Sequence, residues 1–560
     1  MKTLDRWLRL ALEFAAACLI VIEIVILSLG VYWRYVLHKP LTWSDELASI
    51  LFLWLAMIGA TVAMMRQAHM RLTTLVDFLP ANMRQITDAL VLVLGFVFST
   101  SLLVPAFLHI QDQWVILTPA LEISDGLRTA AVGFGLLMMS WHALYQILVH
   151  PSKRALAIST AIVALIAVLL WMASPVLVVL GNANLILFFL LILAFMIALG
   201  LPIAFAFGLA TIAYLFFASS TPLTIVISRI DEGMSHLILL SVPLFVFLGA
   251  LISVTGLAKS MVNFLASLLG HLRGGLHYVL LVAMYLVSGI SGSKAADMAA
   301  VAPVLFPEMK QRGAHSGKLV ALLSASGAMS ETIPPSLVLI TIGAVTGVSI
   351  SALFIGGLMP ALVGLIALSV VVYWQSRDDV LPDFPRATAS QIIKYLLIAL
   401  PALSLPFVIR TAVVEGVATA TEVSTIGILY AFLVALLFFR PLPWRQIYPQ
   451  LVDSACLSGA ILIIIGCATA MAWALTQSGF STDLANWMKQ LPGGQWGFMA
   501  ATLVAFVLLG SLLEGIPAIV LFGPLLFPVA RAMGIHEVHY AMVVIFAMGL
   551  GLFAPPLCVG

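Results

Sequence analysis

The chain has 560 residues, 62% of them hydrophobic and only 9% charged, with a formal net charge of +2. A soluble domain carries about a quarter charged residues, so this much apolar surface has no water-soluble packing, and the bilayer is the solvent the composition demands. The small net charge argues against nucleic acid as a partner. The four cysteines, Cys18, Cys456, Cys467 and Cys558, lie in apolar runs without CxxC spacing, against a zinc site or a disulfide framework.

MKTLDRWLRL leads into an apolar run that ends near Val31. The AAAC stretch (Ala15–Cys18) resembles a cleavage or lipidation site, but the run continues well past it, so the segment reads as an uncleaved first helix. Spanning helices are predicted over 9–32, 45–64, 87–108, 129–149 and 157–180. Two more, 184–199 and 202–218, flank Gly200-Leu201-Pro202, and 238–256 follows. The apolar region 277–348 is punctuated by Gly, Ser and Pro. Helices follow over 354–375, 395–410, 421–439 and 455–477, and a second punctuated region fills 498–560. Lys2, Arg6 and Arg9 precede the first helix, Arg66, Arg71 and Arg84 follow the second, and Lys153 and Arg154 follow the fourth. The loop 109–128 instead carries Asp112, Glu122 and Asp125 against Arg128. The positive-inside rule therefore puts the N-terminus and the basic loops in the cytoplasm. KQRGAHSGK (Lys310–Lys318), RDDVLPDFPR (Arg377–Arg386) and RPLPWR (Arg440–Arg445) fall on the same side if 277–306 enters and leaves by one face. Glu13 and Glu23, in the first helix, face protein or snorkel, and His69 sits in a cytoplasmic loop without a second metal ligand nearby.

An internal repeat lies in the second half. PVLFPEMKQRGAHSGK, from Pro303, aligns with PLLFPVARAMGIHEVH, from Pro524. The same register carries Pro334-Pro335 onto Pro555-Pro556 and Gly289 onto Gly510 without a gap. Opposite charge bias in the two copies' loops implies opposite orientation. Inverted copies with matching interruptions are the pattern of a secondary transporter whose site lies near the midplane. Proline breaks the helical ladder and leaves carbonyls without donors, which is tenable in a membrane only where the break lines a cavity or is buried in protein. Such oxygens can hold a cation, and the half-helix that follows offers N–H groups to an anion.

Each break follows a hairpin rich in small residues. SGISGSKAAD (Ser288–Asp297) supplies the hydroxyls of Ser291 and Ser293 and two charges, Lys294 and Asp297, on one helical face. These charges either neutralise one another or Lys294 meets a substrate carboxylate. The partner stretch is GSLLEGIPAI (Gly510–Ile519), in which Glu514 occupies the Ser293 position. Glu331, just before the first Pro-Pro, reads as a ligand, a proton carrier or an interhelical tie. The chain has no P-loop, nucleophile elbow or HExxH, so neither an ATP-driven pump nor a hydrolase is supported.

From about Asn184 onward the chain resembles the large membrane subunit of the tripartite ATP-independent periplasmic (TRAP) transporters. GLPIAFAFGLA (Gly200–Ala210), PLFVFLGALI (Pro243–Ile252), GHLRGGL (Gly270–Leu276), SGSKAAD (Ser291–Asp297), ETIPPS (Glu331–Ser336) and GLFAPP (Gly551–Pro556) carry the likeness. LTWSDELASILFLWLAMIGA (Leu41–Ala60) and RQAHMRL (Arg66–Leu72) resemble the small membrane subunit. The resemblance implies an all-α integral membrane protein of the bacterial inner membrane, organised as a four-helix small-subunit-like domain (1–152), a fusion linker helix (153–182) and an inverted-repeat, elevator-type transporter with two re-entrant hairpins and two Pro-Pro broken helices (repeat one 183–376, repeat two 377–560). It implies uptake of an organic acid anion, a C4-dicarboxylate or sugar acid, coupled to sodium and fed by a periplasmic substrate-binding protein. No cofactor other than the coupling ions is implied. One sodium site would use Ser291 and Ser293 with backbone around Ser330, Thr332 and Pro334. The other would use the Gly510–Glu514 turn with Gly551 and Ala554. Lys294, Asp297, Glu331 and Ser336 would bind substrate.

Several positions depart from the family pattern. It has Gly where Ser330 stands and Thr where Ala554 stands, so the second sodium site leans on carbonyls. Lys294 and Glu331 are not the commonest residues at their positions and mark a subgroup. The chain stops five residues after Pro555, where copy one continues into a further helix, so the expectation is a C-terminus lacking the rest of the broken helix and one more span. The alternative is a stand-alone ion-coupled carboxylate carrier needing no binding protein, against which the fused four-helix portion argues. A membrane enzyme using Glu331, Glu514 and His315 as acid–base groups is the more distant rival.

Overall fold

The structure, a computed structural model, describes residues 2–311, 313–377, 386–438, 444–490, 492–513 and 515–554. Among them the fold is helical throughout, with one isolated bridge between Leu117 and Ser124 as the extended pairing. Thirteen helical segments are long and apolar enough to cross a bilayer. The chain is an all-α integral membrane protein.

The first group is α1 (Lys2–Tyr35), α2 (Ser44–Met65), the single turn α3 (Thr74–Asp77), α4 (Ala81–Ser101), α5 (Leu103–Trp114) and α6 (Gly126–Val149). The helix expected over 87–108 is longer than its apolar core and is interrupted at Leu102, three residues before Pro105. α7 (Lys153–Val179) is almost wholly exposed along its length and faces lipid. A π-helical stretch, Ile186–Ile192, leads into α8 (Leu193–Ala198), and Gly200 turns the chain, with φ +78°, into α9 (Ile203–Ala218). Then come α10 (Thr224–Met234), α11 (Ser241–Thr255), α12 (Leu257–Leu269), α13 (Gly275–Ser291), α14 (Lys294–Gln311), α15 (Ser316–Ser330), α16 (Leu337–Thr346) and α17 (Ile350–Gln375). The last group is α18 (Ala389–Val414), α19 (Ala420–Phe438), α20 (Trp444–Gln477), α21 (Phe480–Lys489), α22 (Gln495–Leu513), α23 (Gly515–Ala532) and α24 (Glu537–Leu552).

The repeat is visible atom by atom. At the end of α14, Gly313 N donates to Lys310 O and Ala314 N to Met309 O; at the end of α23, Gly534 N donates to Arg531 O and Ile535 N to Ala530 O. Both glycines are left-handed, with φ +82° and +76°, as this helix-ending motif requires. His315 and His536 then cap the next helix in the same way, each Nδ1 accepting from the N–H two residues on at 3.3 Å. The copies extend further than the sequence shows. α12 and α21 are equivalent short amphipathic helices, each entered through a left-handed glycine, Gly256 and Gly479, both at φ +82°.

Contacts fix the inversion. Ser376, after α17, lies against Gly274, before α13, so hairpin one (α13–α14) enters from the face where α17 ends. α15 and α16 cross from that face, and α17 returns, which puts Thr346 on the opposite face. There Arg531 Nη2, at the end of α23, donates to Thr346 O at 3.2 Å, and Gln495 Nε2, at the start of α22, donates to Met533 O at 2.6 Å. Hairpin two (α22–α23) therefore enters from the opposite face. The first face carries Arg66, Arg71, Arg84, Lys153, Lys310 and Lys318, and is called the basic face below.

α2 is the buried centre of the first group and crosses α20 at van der Waals contact. A Cβ on Gly59 would lie 2.2 Å from Ala455 O, and one on Gly459 would lie 2.1 Å from Ala60 N. Lipid offers no hydrophobic drive for helix association, so close packing of small residues is what holds such a pair. Ion pairs fasten the edges: Arg66 to Glu13 at 2.9 Å and to Asp453 at 2.6 Å, Arg34 to Glu422 at 2.6 Å, and Arg128 to Asp231 at 2.7 Å.

Candidate functional site

The first hairpin tip and the first helix break are knitted together. Gly292, left-handed at φ +64°, turns the chain between α13 and α14, and a Cβ there would lie 2.8 Å from Pro335 O. Gly292 O accepts from Leu337 N at 3.2 Å, the first residue of α16. The Pro334–Pro335 bond is cis. Among the described residues, the carbonyls of Glu331, Thr332, Ile333, Pro334 and Pro335 accept no backbone hydrogen bond. Pro334 O lies 3.8 Å from the position a Cβ on Gly289 would take, so it faces hairpin one, whereas Thr332 O is aimed at Gly357 on α17.

The two charges of the first hairpin do not pair with each other. Lys294 Nζ meets Glu331 Oε1 at 2.7 Å, with side-chain exposures of 18% and 6%. The buried Asp297 carboxylate turns into the hairpin and accepts from the hydroxyls of Ser288 and Ser291, while the Ser330 hydroxyl donates to Gly327 O at 2.8 Å. The reason is geometric: three residues on, Asp297 lies on the face of α14 that packs against α13, while Lys294 at the tip is free to reach the break. Ser336 is the N-cap of α16, its hydroxyl accepting from Leu339 N at 3.4 Å. Ser291 also accepts from Ser293 N at 3.1 Å, and Thr332 donates to Met329 O at 2.8 Å. Ser291, Ser293, Lys294, Asp297, Ser330, Glu331, Thr332, Pro334 and Ser336 thus gather at one junction.

In the second copy, Gly510 and Gly551 meet where α22 crosses α24. A Cβ on Gly510 would lie 2.7 Å from Met548 O, and one on Gly551 2.2 Å from Val507 O. Gly551 O accepts from Ala554 N at 3.0 Å. Glu514 and the Pro555-Pro556 pair lie outside the described residues.

The two copies touch at equivalent positions. A Cβ on Gly549 would lie 2.8 Å from Ala328 O, and the repeat register carries Ala328 onto Gly549. α15 and α24 therefore cross on the repeat's own symmetry axis, each within a few residues of its C-terminal end. Glu331 extends the junction to hairpin two, its Oε1 lying 3.8 Å from where a Cβ on Gly515 would be. Sequence reasoning missed Ser288, Ala328, Gly515, Gly549 and Gly357. Aligning the copies residue by residue would have exposed the small pair Ala328 and Gly549; nothing local marks the others. His315 caps α15 at the end remote from Glu331, about 24 Å away at the rise of an α-helix, so these two form no acid–base pair.

Comparison with known proteins closes the question of kinship. Residues 190–560 match the family described as "Tripartite ATP-independent periplasmic transporter, DctM component", and residues 23–151 match its DctQ component. The isethionate TRAP transporter permease protein DctMQ of Oleidesulfovibrio alaskensis is 25% identical over 95% of this chain and 85% of its own. The sialic acid TRAP transporter permease protein SiaT of Haemophilus influenzae is 23% identical over 100% of this chain and 91% of its own. The 2,3-diketo-L-gulonate TRAP transporter large permease protein YiaN of Escherichia coli is 29% identical over 64% of this chain and 85% of its own. With both components matched in order along one polypeptide, the chain belongs to the TRAP transporter permeases, as a fusion of the small and large membrane subunits.

Proposed function

We propose that the chain is the membrane component of a sodium-driven, binding-protein-dependent importer of an organic acid anion, working by an elevator movement. The observation that carries this is the junction itself. The inverted copies α15 and α24 cross at Ala328 and Gly549, with the carbonyls of Glu331–Pro335 on one side and the N-terminus of α16 on the other. Carbonyl oxygens that accept no backbone hydrogen bond suit a hard monovalent cation, and the positive N-terminal end of α16 with Lys294 suits a carboxylate.

In this reading the basic face is cytoplasmic, so the N-terminus is cytoplasmic in an inner membrane. The first sodium ion takes Ser291 and Ser293 hydroxyls and carbonyls of the break, among which Pro334 O faces hairpin one. The second takes the Gly510–Glu514 turn with Gly551 and Ala554. Lys294 exchanges Glu331 for the substrate carboxylate, Ser336 and the positive end of the α16 dipole hold its oxygens, and Asp297 keeps the tip serines in place. The hairpins and broken helices move together against a wall made of α2, α19, α20 and the rest of the small-subunit-like domain. A periplasmic binding protein, the partner that the family implies, delivers the acid.

The test is uptake of radiolabelled succinate, isethionate and sialic acid, the last two after the named relatives, into proteoliposomes with the cognate binding protein outside. Uptake of one of these should require inward sodium and the binding protein. Uptake unchanged when choline replaces sodium at fixed pH would overturn the coupling, and uptake without the binding protein would favour the stand-alone carrier.

A further inference from the structure

We propose that Arg71, with Gln67 beside it, is an anion-release station: the carboxylate leaving the junction beneath hairpin two passes this guanidinium on its way to the basic face. The inference rests on the reading of the chain as an importer of organic acids. Hairpin two enters from the face opposite the basic one, yet its tip residues Leu512 and Leu513 line a cavity of about 230 Å³ whose other wall is the basic-face loop Gln67–Leu72. At 19 residues α22 spans about 28 Å, so the hairpin reaches almost to the basic face and its tip faces the small-subunit-like domain across this cavity. An acid freed beside Gly515 has this cavity directly before it.

The loop is built to hold a charge in place. His69 is fully enclosed, its Nε2 against Ala60 O at 2.9 Å and its ring 5.3 Å from that of Phe205. Met70 O accepts from Ile203 N at 3.1 Å, and Gln67 takes a left-handed conformation, φ +55°, that directs the chain across the cavity mouth. The neighbouring arginines are neutralised, Arg66 by Glu13 and Asp453 and Arg84 by Asp77 at 3.1 Å. Arg71 is exposed and has no ion pair among the described residues, although it also lines a second cavity shared with Asp88. An unneutralised cation on a rigid support at the mouth of a cleft raises the local concentration of anions without paying an ordering cost on each passage.

The test uses the full chain in proteoliposomes, with the binding protein outside so that only one orientation works. The acid that the wild type carries is loaded into the lumen at rising concentration, and its inhibition of uptake is measured. Arg71→Gln should raise the half-inhibiting luminal concentration about five-fold, the effect of one charge at contact distance in water, while the outer half-saturation constant stays within two-fold. Arg71→Lys should restore the luminal constant. A substrate-independent arm places a cysteine at Gln67→Cys in a chain whose native cysteines are serine. The ratio of labelling rates with anionic and cationic methanethiosulfonates should fall at least three-fold on adding Arg71→Gln. A luminal constant or a labelling ratio that shifts less than two-fold overturns the proposal. If the wild type carries none of the three acids, the functional reading is what fails, and the labelling ratio still decides for or against a field from Arg71 at the cavity.

Discussion

Replacing Lys294 by Met leaves Glu331 buried at the helix break without its cation. At 2.7 Å the pair attracts by about 6 kcal/mol at an effective dielectric near 20, most of it offset by the cost of taking both ions out of water. Removing Lys294 loses the attraction but keeps the desolvation of Glu331, so Lys294→Met should destabilise by about 3–5 kcal/mol. Replacing both with neutral groups of similar volume removes the attraction and the desolvation together, and should cost about 2 kcal/mol or less. The assay is thermal unfolding in detergent of the wild type, Lys294→Met, Glu331→Gln and the double variant. The double variant should melt above Lys294→Met. If it melts below both single variants, as independent losses would require, the pair is not coupled and the reasoning is wrong. Transport separates the roles: the double variant should fold yet take up no acid, because Lys294 is then missing from the carboxylate site proposed above.

The remaining predictions concern the scaffold. His69 lies in a loop outside the spans, and burial pushes its pKa down to about 4, from an ordinary value near 6.5. The unfolded chain binds a proton there at a pH where the folded one does not, so stability is complete above 6.5 and falls by up to about 3 kcal/mol as the pH drops toward 4. His69→Gln should lose that part of the pH dependence, and a pH series of melting temperatures checks it. Gly459→Leu drives a side chain into the backbone of α2 at Gly59 and Ala60, where a Cβ already finds 2.1 Å. It should cost at least the 1–3 kcal/mol, roughly, of ordinary overpacking and separate the small-subunit-like domain from α20, read as new proteolysis within 66–84.

The sequence exposes what is written in interruptions. Pro334-Pro335, the two glycine-flanked hairpins and the basic loops locate the first break, the hairpins and the faces, because each of these works through the local backbone or through counted charge. The matched caps at His315 and His536 were likewise present in the repeat alignment. Helices α10, α12 and α21 stayed hidden because they are short and amphipathic, and a search for long apolar runs passes over them. The choice of Glu331 over Asp297 as the partner of Lys294 was open for a different reason. Spacing puts Lys294 and Asp297 on one face, but only the packing of α13 against α14 decides that Asp297 turns inward to Ser288 and Ser291. The nearness of Gln67–Leu72 to Leu512–Leu513 joins segments far apart in the chain, and no local pattern encodes it.

The small-subunit-like domain holds the two copies of the repeat in different ways. In the second copy the arm is one unbroken helix, α20, clamped along α2 by the glycine crossing and by Arg66 on Asp453. In the first copy the equivalent stretch is broken into α10, a 3-10 turn over Leu237–Leu240 and α11, and its α10 is tied to the other end of the small-subunit-like domain by Arg128 and His109 on Asp231. Burial would raise the Asp231 carboxyl; the His109 hydrogen bond and the Arg128 charge outweigh it and hold the pKa below its ordinary value, so this tie keeps its charge at neutral pH. One arm is thus a rigid strut and the other a jointed one, both anchored to the same wall. If the hairpins slide past that wall as proposed, α20 gives the movement a fixed side and Ser235–Leu240 a yielding one, and the wall is the part of the molecule that hairpin two faces across the cavity at Gln67–Leu72.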